Sequence, residues 1–179
     1  MRNSYNVLVT GVGAIIGYGI IRSLQSSRYS VKIIGVDIFD DAVGRNWCDN
    51  FERAIQTNSP DHPDFIKKVI HNHSIDLVIP AIEQDVTRMT VDSYYLLDTP
   101  AKFALNNPDL VKLADDKWLT YQEQLNAGIP AIKTRIEGDF EALADELGVP
   151  FLLKPRKSYT HGKFRVFITN NLLNHKITP

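Results

Sequence analysis

Residues 7–19 read Val-Leu-Val-Thr-Gly-Val-Gly-Ala-Ile-Ile-Gly-Tyr-Gly, so four glycines (Gly11, Gly13, Gly17 and Gly19) follow a short apolar run. Glycine accepts positive φ and lets the backbone come close to a ligand. A strand that turns into a helix leaves the first helical N–H groups unpaired and attractive to anions. The stretch therefore predicts an anion-binding turn. Asp37 lies 20 residues beyond Gly17, where a dinucleotide fold keeps the carboxylate that holds a ribose. The G-x-G-x-x-G fingerprint is incomplete, because Ile16 stands in the third glycine's place and Gly17 comes one residue later. Two other readings of the glycines stay open. One is a turn needed only for close packing of helix on strand. The other is a short-chain dehydrogenase, with Tyr159 and Lys163 as its Tyr-x-x-x-Lys pair. That pair needs one helical face, whereas Pro155 and Gly162 flank this segment and the preceding Asp145-Glu-Leu-Gly148 has no serine.

Further groups capable of chemistry lie downstream. Glu83 and Asp85 follow Pro80 at the end of an apolar run, Lys117 follows Asp116 at the start of a helical stretch, and Lys154 precedes Pro155 at the end of another apolar run. Charge is unevenly spread. The net is −1, yet residues 1–153 carry 14 basic and 21 acidic side chains, while residues 154–179 carry six basic and no acidic ones. The basic tail suits an anion. The near-neutral whole implies neither nucleic acid nor a membrane surface as partner.

The elements that must hold these residues can be read from periodicity. At 179 residues, 44% hydrophobic and 23% charged, the chain has the composition of a globular protein. The single cysteine, Cys48, allows no intrachain disulfide and fits a reducing, cytoplasmic setting. No apolar run reaches the ~18 residues of a membrane span. Strands are expected at 5–10, 31–37, 54–57, 75–80 and 102–105, and helices at 17–26, from Pro63 onward, and at 84–97. This alternation predicts a Rossmann-like parallel sheet over residues 1–106, with helices on both faces and its loops gathered at one edge. After Asn106 the pattern changes to helices at 108–115, 116–126 and 140–147, then a strand at 151–154 with a hairpin partner at 164–168. A second domain over 107–179 is expected.

Asp116-Lys117, the helix ending in Asn126-Ala-Gly-Ile-Pro130, and the strand Val149-Pro-Phe-Leu-Leu-Lys154-Pro155 together resemble the ATP-grasp family, most closely its members like the carbamoyl phosphate synthase large chain. The resemblance implies a Rossmann-like pre-ATP-grasp domain followed by the beginning of an ATP-grasp α+β domain. It implies an ATP-dependent carboxylate ligase acting through an acyl phosphate. Lys117 and Lys154 would contact ATP phosphates, and Gly162 would lie in a loop closing over them. Gly11, Gly13, Gly17, Asp37, Glu83 and Asp85 would line the side of a small carboxylate substrate. Family members hold Mg with carboxylates from a later segment, and no acidic side chain follows Glu146 here. No metal ligand is therefore assigned. The chain is expected to be the amino-terminal part of such an enzyme, either a truncated product or half of a split enzyme completed by another chain, inactive alone, with self-association through apolar surface on the 151–168 hairpin. A stand-alone binding module or inactive remnant is the alternative.

Overall fold

The computed structural model describes residues 4–157 and 167–169. The chain divides into two compact units, the first ending at Pro108 and the second beginning at Asp109.

The first unit alternates strand and helix: β1 (Ser4–Thr10), α1 (Ile15–Gln25), β2 (Ser30–Asp37), β3 (Asn50–Arg53), α2 (His62–His73), β4 (Leu77–Ile79), α3 (Glu83–Val91) and β5 (Lys102–Phe103). The strands form one parallel sheet in the order β3-β2-β1-β4-β5. This is the expected Rossmann-like α/β sheet. Its centre is β1, where Val7 pairs with Ile33 of β2 and with Leu77 of β4. Successive strand residues point to opposite faces. Val7 and Val9 thus join Ile21 of α1 and Ile33 in one core layer, while Leu8 joins Ile34, Ile66, Val69 and Ile70 of α2, and Met89 of α3, in the other. Burial on both faces explains why β1 and β2 read as continuous apolar runs.

Two expectations are corrected. The third strand is Asn50–Arg53, not residues 54–57. It is an edge strand, so it needs no apolar run. Its register is set by the Asp49 carboxylate, which accepts the Ile33 N–H at 2.7 Å, and by the Ala54 N–H, which reaches the Asp37 carbonyl at 2.7 Å. The helix expected over 84–97 stops at Val91. There Asp92 takes an extended conformation, and its carboxylate accepts the Tyr94 N–H to open a 3-10 turn, Ser93–Leu96. A short polar side chain that bonds the local backbone competes with helix continuation in this way.

The second unit contains α4 (Pro108–Asp115), α5 (Lys117–Asn126), α6 (Phe140–Leu147) and an antiparallel pair, β6 (Phe151–Leu153) with β7 (Phe167–Thr169). Asp116 and Asp139 cap α5 and α6 through their carboxylates. Gly128 and Gly148, at φ 67° and 79°, follow the ends of α5 and α6. The start of the hairpin partner, residues 164–166, lies outside the described residues. Among the described residues no helix is long and apolar enough to cross a membrane.

The glycine turn depends on two very close approaches. Gly11 has φ 60°, and a Cβ there would lie 2.3 Å from a methyl carbon of Ile82. A Cβ on Gly17 would lie 2.4 Å from the Gly11 carbonyl oxygen, whereas one on Gly19 would meet nothing within 4 Å. Gly17→Ala is therefore expected to destabilise the protein by about 1–3 kcal/mol through overpacking, and Gly19→Ala to stabilise α1 by up to ~1 kcal/mol. Urea denaturation of both variants checks the pair.

Candidate functional site

In a parallel sheet the loops that follow the strands share the carboxyl edge, and sites gather where the strand order reverses. In the first unit that point lies between β1 and β4. Thr10, at the end of β1, is buried, and its hydroxyl accepts the Ala81 N–H at 3.3 Å just beyond β4. The displaced glycine has a clear place here. Gly17 makes the close helix–strand contact, and Ile16, in the fingerprint's third-glycine position, is 61% exposed.

The structure gives Asp37 local partners. Its side chain is buried at the end of β2. One carboxylate oxygen accepts the Gly13 N–H at 2.8 Å, and the other accepts the Phe39 N–H at 3.0 Å. One oxygen thus braces the glycine turn from 24 positions away, and the other closes the local turn after β2.

Glu83 and Asp85 part company in the first turn of α3. Glu83 is exposed. Asp85 is 3% exposed and accepts the Thr57 hydroxyl at 2.5 Å. His62 lies beside it, with Nε2 3.9 Å from the Asp85 carboxylate and Nδ1 2.7 Å from the Tyr95 hydroxyl. Arg88 donates to the carbonyls of Thr57 and Ser59. Burial pushes the His62 pKa below the ordinary histidine value, with Asp85 pulling it up and Arg88 pushing it further down. The same loss of solvent drives the Tyr95 hydroxyl up to about 12. Thr57, His62, Arg88 and Tyr95 were not singled out from the sequence. They come from four separate segments, and a polar network of that kind leaves no periodic signal.

In the second unit Lys117 is the first residue of α5 and Lys154 follows β6, where it is exposed. The Lys117 N–H donates to the Arg156 carbonyl at 3.1 Å, and the backbone of Asp116 pairs with that of Lys157. The Asp116 side chain is 3% exposed. It accepts the N–H groups of Trp118 and Leu119 and receives Arg156 Nε and Nη2, each at 2.8 Å. The turn carrying Lys154 is thus stitched to the start of the helix carrying Lys117. Beside Lys117, an open depression of about 470 Å3 is lined by Thr120, Tyr121, Gln124, Ile132 and Thr134 among others. Arg156 was read only as part of a basic tail; a partner 40 residues away leaves no local pattern. Gly162, Tyr159 and Lys163 lie outside the described residues.

Among the described residues no group of three or more His, Cys, Asp or Glu side chains is placed to hold a metal ion.

No protein-family model matches the sequence, and neither does any curated protein. Solved structures do. N5-carboxyaminoimidazole synthetase from Staphylococcus aureus, complexed with ADP, superposes with a TM-score of 0.63 at 16% identity, covering 96% of this chain and 43% of that one. The biotin carboxylase domain of Hydrogenobacter thermophilus 2-oxoglutarate carboxylase, in complex with MgADP, ADP and bicarbonate, gives 0.55 at 18% identity, covering 93% and 38%. Rhizobium etli pyruvate carboxylase gives 0.58 at 15% identity, covering 93% and 16%. At these identities the likeness is one of fold. The chain spans less than half the length of each of these structures.

The Asp116–Arg156 pair has a pH signature. The Arg156 guanidinium, helped by the two helix amides, holds the Asp116 carboxyl at about 2, below its ordinary 3.8. This stabilisation is full above pH 3.8 and is lost as the pH falls through about 2. Asparagine still caps a helix. In a Trp47→Phe background, where Trp118 is the remaining tryptophan, Asp116→Asn is expected to flatten the acid limb of Trp118-monitored urea unfolding. An unchanged acid limb would contradict the assignment.

Proposed function

We propose that this chain is the amino-terminal part of an ATP-dependent carboxylate ligase of the ATP-grasp kind, acting through an acyl phosphate. The observation that carries this reading is the 3.1 Å bond from the Lys117 N–H to the Arg156 carbonyl. It draws two cationic segments together at the start of a helix and the end of a strand. The fold likeness supports it, since one similar structure holds ADP and another holds MgADP with bicarbonate.

In this reading ATP supplies the phosphoryl group that makes a carboxylate reactive. Lys117 and Lys154 hold the phosphates as fixed positive charges, which lowers the repulsion between an anionic phosphate and an approaching carboxylate. Asp116 takes up the charge of Arg156 and holds the strand end against the helix, so the two lysines keep their places. Gly11, Gly13 and Gly17 support the substrate side at the strand ends, with exposed Glu83 beside them. Asp37 gives one oxygen to the Gly13 N–H and the other to the Phe39 N–H, which weighs against a nicotinamide dinucleotide there. On this reading the 179 residues bind ATP without turning it over. Specificity like that of carbamoyl phosphate synthase and self-association belong to the same proposal.

Titration calorimetry tests it. ATP is expected to bind, Lys117→Met and Lys154→Met are each expected to weaken binding about tenfold or more, as loss of a charge-assisted contact implies, and NADPH is expected not to bind. Binding of NADPH in place of ATP, or ATP affinity unmoved by both substitutions, would contradict the reading. So would Mg-dependent ATP turnover by this chain alone.

A further inference from the structure

The segment between β3 and α2 has almost nothing apolar to hold it. Residues 55–61 are exposed or half-buried and belong to no strand or helix. Among the described residues, the side-chain hydrogen bonds that tie this segment and the following His62 to the rest of the unit come from α3 and the 3-10 turn after it. Asp85 accepts the Thr57 hydroxyl, Arg88 donates to the carbonyls of Thr57 and Ser59, and Tyr95 meets His62. All of these groups are buried or half-buried, where an unpaired polar atom is costly. Positions 83 and 85 lie two residues apart on α3 and so cannot share a face. Glu83 faces outward while Asp85 turns inward.

We propose that Asp85 and Arg88 are positioning residues, which join the Thr57–His62 segment and the first turn of α3 into one wall at the carboxyl edge of the sheet and thereby fix the exposed Glu83. Asp85 then acts through Thr57 and touches no ligand. The importance of this for activity rests on Glu83 facing a substrate, as read above. The mechanical coupling itself does not depend on ATP or on Lys117 and Lys154.

Hydrogen exchange of the full chain, without nucleotide, tests the coupling. Thr57→Val removes the hydroxyl and strands the buried carboxylate. It is expected to raise exchange about tenfold or more both in peptides covering 55–61 and in those covering 83–86, with β1 and β2 amides unchanged. Thr57→Ser keeps the hydroxyl and is expected to restore wild-type protection in both. Should Thr57→Val lose protection throughout the sheet, Arg88→Gln serves in its place, and the same paired rise is expected. Faster exchange confined to 55–61, with 83–86 at wild-type protection, would overturn the proposal, as would failure of Thr57→Ser to restore both. Because no nucleotide is present, failure of the ligase reading would leave these outcomes untouched.

Discussion

The first unit rests on the burial of β1 on both faces. Val9 and Leu8 are fully buried on opposite sides of the sheet, and β1 pairs in parallel with β2 and β4. A parallel strand must be left and re-entered by a crossover. The turn after β1, the brace at the end of β2, the segment after β3 and the start of α3 are therefore delivered to one edge. The glycines serve the same constraint. Gly17 lets α1 come within reach of the turn, and Gly11 leaves room for Ile82. Each charged or hydroxylic side chain at that edge then either braces a neighbouring loop, as Asp37 and Asp85 do, or stays exposed, as Glu83 does.

The second unit uses a different device for a similar end. A single buried carboxylate, Asp116, caps α5 and binds Arg156. Helix capping falls on Oδ1 and the ion pair reaches both oxygens, so one carboxylate does both, and the pairing with Arg156 is strongest while that carboxylate is charged. Its depressed pKa follows directly, and so does the placing of Lys117 next to the turn that follows β6.

The parallel sheet was legible because β1, β2 and β4 are continuous apolar runs and α2 carries the stripe Phe65, Ile66, Val69 and Ile70. The helices expected at 108–115 and 140–147 coincide with α4 and α6. The edge strand β3 was misplaced because Asn50-Phe-Glu-Arg53 has no apolar run; its register is written in Asp49 and Ala54, through bonds to β2. The break at Asp92 hid inside a helical pattern because an aspartate there is unremarkable until its carboxylate finds the Tyr94 N–H. Among the candidate residues, the glycine turn was singled out by its spacing and the two lysines by their place in a resemblance. The commitments of Asp37 to Gly13, Asp85 to Thr57 and Asp116 to Arg156 were not, because each joins positions 24 to 40 residues apart. Spacing marked Asp37 and Asp85 as candidate acids; their burial and partners appear only once the chain is folded.

The central claim is that nucleotide phosphates belong to Lys117 and Lys154 and not to the glycine turn. A crystal structure of the chain with a non-hydrolysable ATP analogue tests it most directly. The account predicts phosphate oxygens within about 3 Å of both lysine Nζ atoms, with the turn at Gly11–Gly17 free of nucleotide. Nucleotide density against that turn, with Lys117 and Lys154 away from any phosphate, would contradict it.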